Sequence, residues 1–173
     1  MIIDERSNGG GQAANYITDV LSRQYLAGWK YRSGDMILST PAGAVYGPKV
    51  MLIDQDAGSG GDFLPYSFSR MGLGTLIGKT TWGGLIGVSA NRNFVDGGRM
   101  NVPHFRFFTP DHEWRVENEG VKPDIDVEQD PVLVNQGKDP QLDRAISEVL
   151  EQLKTFKPVR HTVAPAMPKE LGK

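Results

Sequence analysis

Apolar positions along the chain fall into short runs and helical stripes that alternate. Met1-Ile2-Ile3-Asp4 reads as an apolar strand with no polar lead-in. After it, Ala14, Ile17, Val20, Leu21 and Tyr25 recur at helical spacing with Gly28 as a stop, which predicts a helix from Gln12 to about Ala27 with one buried stripe. Trp29 to Pro48 carry no sustained period and read as a surface excursion. Val50-Met51-Leu52-Ile53 is a continuous apolar run, the pattern of a strand covered on both faces of a parallel sheet. A glycine-rich turn, a helix over Phe63 to Met71 and a short strand at Leu76-Ile77-Gly78 follow.

Strand character then returns at Leu85 to Val88, Asn93 to Val95, Val102 to Phe108 and, after the turn signal Pro110-Asp111, Trp114 to Glu117. Asp139-Pro140 has the form of an N-cap followed by proline at the first helical position. Leu142, Ala145, Ile146, Val149, Leu150 and Leu153 then mark an amphipathic helix. From Lys157 a tail with Pro158, Pro165 and Pro168 reads as an extended arm or a disordered segment. Strand, glycine turn, helix, repeated, predicts an α/β domain over residues 1–156 with a parallel sheet layered by helices, a short C-terminal β segment and helix, and a separate tail over 157–173. A chain that opens inside a strand is expected to be cut from a longer polypeptide.

At 173 residues, 39% hydrophobic and 23% charged, the chain can bury one real core. A net charge of −2 with interspersed signs supplies no footprint for nucleic acid or an anionic membrane. No apolar run approaches a membrane span and no leader pattern opens the chain, so a cytoplasmic setting is the default expectation. Absence of cysteine removes disulfides, cysteine nucleophiles and thiolate metal sites. The three histidines are too far apart for a ligand pattern, so no metal and no cofactor is expected.

The 21 glycines bunch at Gly9-Gly10-Gly11, Gly58-Ser59-Gly60-Gly61, Gly83-Gly84 and Gly97-Gly98. The first two clusters follow adjacent predicted strands, at the sheet end where α/β proteins gather their sites. Ser59, on a tight turn between a buried strand and a helix, would hold its hydroxyl clear of the sheet, and the flanking glycines would leave room for a carbonyl. Read without context, a Gly-Ser-Gly is a turn residue or a helix cap. Because Pro65 belongs in a first helical turn, Asp62 is expected to be the cap and Ser59 to stay in the turn. Gly9-Gly10-Gly11 could cradle a phosphate, but no Lys-Ser or Lys-Thr follows and no dinucleotide spacing is present. Amides there could equally stabilise an oxyanion. His104 in an alternating strand, His112 in a turn and His161 in the tail are all poor candidates for a base.

Gly58-Ser59-Gly60-Gly61-Asp62, Leu73-Gly74-Thr75-Leu76-Ile77-Gly78-Lys79-Thr80-Thr81-Trp82-Gly83-Gly84 and Val116-Glu117-Asn118-Glu119-Gly120-Val121-Lys122-Pro123-Asp124, with the opening loop Asp4 to Gly11, resemble the second core domain of the tricorn protease family, within the wider tail-specific protease group. The likeness runs in order from about residue 2 to 155. It implies a ClpP/crotonase-like α/β fold and a serine-type peptidase acting on peptides. It matches Ser59 to the nucleophile and the amides of Gly11 and Gly60 to the oxyanion donors. Gly60 stands where the family has an acidic residue, but the role belongs to the N–H. Glu117, on residue type alone a solvated charge, matches the acidic member of a tetrad that orients a histidine through a serine. The serine–lysine dyad of the tail-specific relatives is not matched, because Gly84 occupies the lysine position and Lys79 lies outside it. The resemblance further implies that the histidine comes from an upstream domain of the same polypeptide, that the isolated chain has little activity, and that the protein forms a homo-oligomer. The competing expectation is a module of the same fold kept for oligomerisation or peptide binding without catalysis.

Overall fold

The computed structural model of the chain describes residues 1–88 and 92–166. Four parallel strands form the sheet: β1 (Ile2–Asp4), β4 (Val50–Ile53), β5 (Thr75–Gly78) and β8 (Ile125–Asp126), in the order β1-β4-β5-β8. Ile3 pairs with Met51, Met51 with Leu76, and Ile77 with Ile125. All four residues of β4 are fully buried, as its unbroken apolar run requires, because alternate side chains serve two different cores. On one face Met51 and Ile53 pack with Leu64 and Phe68 of helix α2 (Gly60–Arg70) and with Ala14 and Leu21 of helix α1 (Ala13–Ser22). On the other, Val50, Leu52 and Ile77 pack under Ala145 and Val149 of helix α4 (Pro140–Thr155). Each fully buried Leu, Ile, Val, Met or Phe among these contributes about 1.5–3 kcal/mol. The N-terminus of α4 is capped by Asp139, which accepts the Leu142 N–H at 2.9 Å, and Arg6 ties that cap to the end of β1 by pairing with Asp139 and Asp4 at 2.9 and 2.7 Å. The parallel α/β class expected from the strand–turn–helix rhythm is the architecture observed.

Several local expectations are corrected. Helix α1 ends at Ser22, where Arg23 turns extended, rather than near Ala27. Residues from Ala27 onward instead form β2 (Ala27–Lys30), paired antiparallel with β3 (Ile37–Thr40) inside the segment expected to lack regular structure. Leu26 closes this hairpin by donating to the Thr40 carbonyl, and Gly28, expected to stop the helix, lies in β2, where a Cβ would sit 2.8 Å from the Tyr25 hydroxyl. The hairpin is largely exposed, so no buried stripe marks it in the sequence.

Helix α2 starts at Gly60, three residues before the expected Phe63; Ser59 takes the N-cap position and Asp62 lies inside the helix. Pro65 therefore stands beyond the first turn, where a proline ordinarily costs about 3 kcal/mol, and tertiary hydrogen bonds at the helix start override that preference. Of the predicted strands after residue 85, only a two-residue pair forms, β6 (Ile86–Gly87) with β7 (Phe105–Arg106). Phe94 closes a turn with Gly98 instead, and Trp114 to Glu117 run into a turn at Val116–Gly120. A short helix, α3 (Pro131–Asn135), capped by Asp130, was not anticipated. Beyond α4, residues 157–166 have no regular structure, and the rest of the proline-bearing tail lies outside the described residues.

Candidate active site

Adjacent strands β1 and β4 deliver the two glycine bends to one place. Asn8 clamps them together: its carbonyl accepts the Gly58 N–H at 2.9 Å, its Oδ1 accepts the Gly10 N–H at 2.9 Å, and its Nδ2 donates to Glu5 Oε1 at 2.7 Å. The bends touch closely enough that only glycine fits. A Cβ on Gly10, whose φ is +113°, would lie 2.7 Å from the Ser59 Cβ, and one on Gly60 would lie 2.3 Å from the Gly11 carbonyl oxygen. Ser59 itself has φ 57° and ψ −113°, a conformation that non-glycine residues hold only when their surroundings enforce it.

Asp62 supplies that enforcement. Its carboxylate is fully buried and accepts four hydrogen bonds: from the Ser59 N–H at 2.8 Å, the Thr81 hydroxyl at 2.5 Å, and the Gly83 and Gly84 N–H groups at 2.8 and 3.0 Å. A buried charge is tolerated when it is satisfied in this way. The Asp62 and Phe63 amides donate to the Ser59 carbonyl at 3.0 and 2.9 Å. With Gly61 bonded to Gly58, the amides of Ser59, Gly61, Asp62 and Phe63 are all engaged. Among the described residues, the N–H groups of Gly11 and Gly60 donate to no protein acceptor.

Ser59, Gly11 and Gly60 line one cavity of about 410 Å³. Its walls are mostly apolar, from Phe63, Leu85, Ile86, Phe105 and Phe107, with Gln12, Asn15 and Arg106 as polar members. Half-buried Ser59 thus faces a hollow rather than the core.

Glu117 does not line that cavity, and it lies in a turn, not at a strand end. The turn is strained, with Val116 at φ 73° and Asn118 at φ 64°, and it docks on the Gly83 bend through the Asn118 N–H to the Gly83 carbonyl at 2.7 Å. Gly83 in turn is bound by Asp62, so Ser59 and Glu117 belong to one hydrogen-bonded scaffold. Glu117 Oε2 is buried and has no hydrogen-bond partner among the described residues, which distinguishes this carboxylate from a solvated charge.

The remaining candidates lie apart. His104 is exposed beside Phe105, His112 stacks on Phe108, and His161 packs edge-on against Tyr25. None of the three lines the Ser59 cavity. Lys79 is engaged at the surface by Asp126 and Glu128, at 2.7 and 2.9 Å, which hold its pKa above the usual lysine value. Among the described residues no group of three or more potential metal ligands comes together, and no helix is long and apolar enough to cross a membrane. Sequence reading missed Asn8 as the clamp and Asp62 as the hub; the only signal was their place inside the two glycine motifs.

Comparison with known proteins agrees with this architecture. A family model described as Peptidase family S41 matches residues 1–127. Tricorn protease from Thermoplasma volcanium is 39% identical over 157 residues, 91% of this chain but 15% of that protein. Tricorn protease homolog 1 from Streptomyces coelicolor is 36% identical over 88% of this chain and 14% of its own length. The crystal structure of the tricorn protease superposes with a TM-score of 0.83 at 38% identity, covering 89% of this chain and 15% of that one. The chain thus spans about one seventh of the length of these relatives, and over that span it belongs to peptidase family S41.

Proposed function

We propose that this domain carries the nucleophile and oxyanion hole of a serine-type peptidase. Ser59 Oγ attacks the scissile carbonyl carbon and its proton passes to a base. The carbonyl oxygen, now negative, is received by the N–H groups of Gly11 and Gly60. As the C–N bond breaks, the proton is returned to the departing amine, and water then hydrolyses the ester on Ser59. The observation that carries this reading is the pair of unengaged amides, Gly11 and Gly60, beside a strained serine in one cavity, where the N–H groups of Gly58, Ser59, Gly61, Asp62 and Phe63 are each bonded internally. Losing one such donor typically costs about 2.7–4 kcal/mol of transition-state stabilisation.

A serine hydroxyl needs a base, and no histidine of the chain lines the cavity. We assign the base to a histidine on an upstream domain of the same polypeptide, with Glu117 as the buried carboxylate that orients it through an intervening serine. The partners are then peptides, the upstream domains and further copies of the protein; exposed Phe94, Val95, Met100 and Val102 supply apolar surface suited to such packing. The absence of a base from the cavity also favours a second reading, a peptide-binding module of the same fold.

Labelling with a fluorophosphonate separates the two readings. The full-length protein is expected to take up the probe on Ser59, Ser59→Ala to lose it, and residues 1–173 alone to react far more slowly. No uptake by the full-length protein would favour the binding module, and equal uptake by the chain alone would contradict a base supplied from outside.

A further inference from the structure

The cavity around Ser59 is chemically lopsided. Of the side chains that line it, Arg106 is the one with a formal charge, and the lining contains no acidic residue to neutralise it. Its guanidinium lies over the ring of Trp114, 4.7 Å from the centroid, a contact that fixes the group without consuming its charge. Glu113, next to Trp114 in the chain, pairs with Arg115 instead, at 3.0 Å, and Arg115 also holds Glu119 at 3.6 Å. Among the described residues Arg106 therefore has a π partner and no ion pair. Phe105 and Phe107 flank it and, with Phe63, Leu85 and Ile86, make the rest of the wall apolar.

An arginine held in this way offers a planar fork of donors that matches a carboxylate. Arg106 is itself exposed and open to a ligand, and a hollow with few polar groups uses those groups to orient its ligand. We propose that Arg106 is a specificity-determining residue, binding a carboxylate of the peptide placed for attack by Ser59. The placement of that peptide for attack rests on the peptidase reading, but the binding itself does not depend on Ser59. Two sources present the same chemistry: an acidic side chain within the peptide, or the free carboxylate at its end.

Binding is measured with full-length protein carrying Ser59→Ala, so that turnover plays no part. The fluorescent peptides share an apolar sequence and are blocked at both ends and neutral, blocked with one internal glutamate, or neutral with a free C-terminal carboxylate. At least one carboxylate peptide is expected to bind about tenfold more tightly than the neutral one, the scale of one charge-assisted hydrogen-bonded pair. Whichever arm shows the gain identifies the source. Arg106→Gln is expected to abolish the gain, Arg106→Lys to restore part of it, and Arg106→Glu to shift preference to a lysine peptide. Equal binding of all three peptides, no peptide binding at all, or a carboxylate preference that survives Arg106→Gln would overturn the proposal. A preference lost with Arg106 in a protein that never labels at Ser59 would instead remove the peptidase reading and leave the carboxylate site standing.

Discussion

Asp62 holds the geometry of the candidate site at the scale of single residues. It is the shared acceptor for the Ser59 amide and for the Thr81 and Gly83-Gly84 segment, so the serine's unusual backbone and the docking surface for the Glu117 turn depend on one carboxylate. Replacing it with asparagine keeps the volume but points an NH2 group at groups that are themselves donors. Asp62→Asn is therefore expected to destabilise the fold by about 3 kcal/mol, read as a lower midpoint in urea, and to slow labelling of Ser59. Unchanged stability would mean that the four hydrogen bonds do not hold the bend. In the sequence Asp62 is visible only as a cap, because Pro65 makes a late helix start the economical reading and nothing local reveals donors from about 20 residues downstream. Glu117 illustrates the converse. Residue type alone makes it a solvated charge, and only the turn that buries Oε2 separates it from one.

Between elements, the critical link is Asn8, which Glu5 holds within the loop after β1 and whose carbonyl accepts the Gly58 N–H of the turn after β4. Glu5 is 5% exposed, and its pKa is pushed up to about 7, first by burial and further by Asp4 and Asp54, while the Asn8 donor works against the rise. A carboxyl raised in the folded state contributes stability that is fully present below its unfolded value of 4.5 and is lost as pH climbs through about 7. Asp139, held down at about 2 chiefly by Arg6, and Asp4, also lowered chiefly by Arg6, act in the opposite sense, and their stabilisation is lost only at more acid pH. Between pH 5 and 8 the Glu5 contribution should therefore be visible in the difference between the wild type and Glu5→Gln, which cancels the contribution of the Met1 amino group, whose pKa is itself lowered from 8.0 by burial and Lys49. The thermal midpoint of the wild type is expected to fall by a few degrees more over that window than that of Glu5→Gln, and parallel profiles would reject the assignment.

Elements with two-sided burial were legible in the sequence. The run at Val50 to Ile53 is covered on both faces; of the α4 stripe, Leu142, Ala145 and Val149 feed the second core, whereas Ile146, Leu150 and Leu153 are exposed, so its period reports that core only in part. The β2–β3 hairpin feeds none and left no pattern, and five-residue α3 is too short for a period to register.

For the whole molecule, parallel strands β1 and β4 bring two glycine bends together at one sheet end, and that convergence was inferable from the alternation of strands and turns. The contact between the bends was not, because it is decided by Asn8 and Asp62 acting across the sequence. The chain's share of its relatives' length, about 15%, leaves ample polypeptide in those relatives to complete a site around the Ser59 cavity.

The most direct test is a crystal structure of the full-length protein soaked with a peptidyl boronate. The adduct is predicted to show a bond from Ser59 Oγ to boron, with one boronate oxygen about 2.7–3.1 Å from both the Gly11 and Gly60 nitrogens. A boronate bound elsewhere, or one attached to Ser59 with its oxygens turned away from those two amides, would contradict the account.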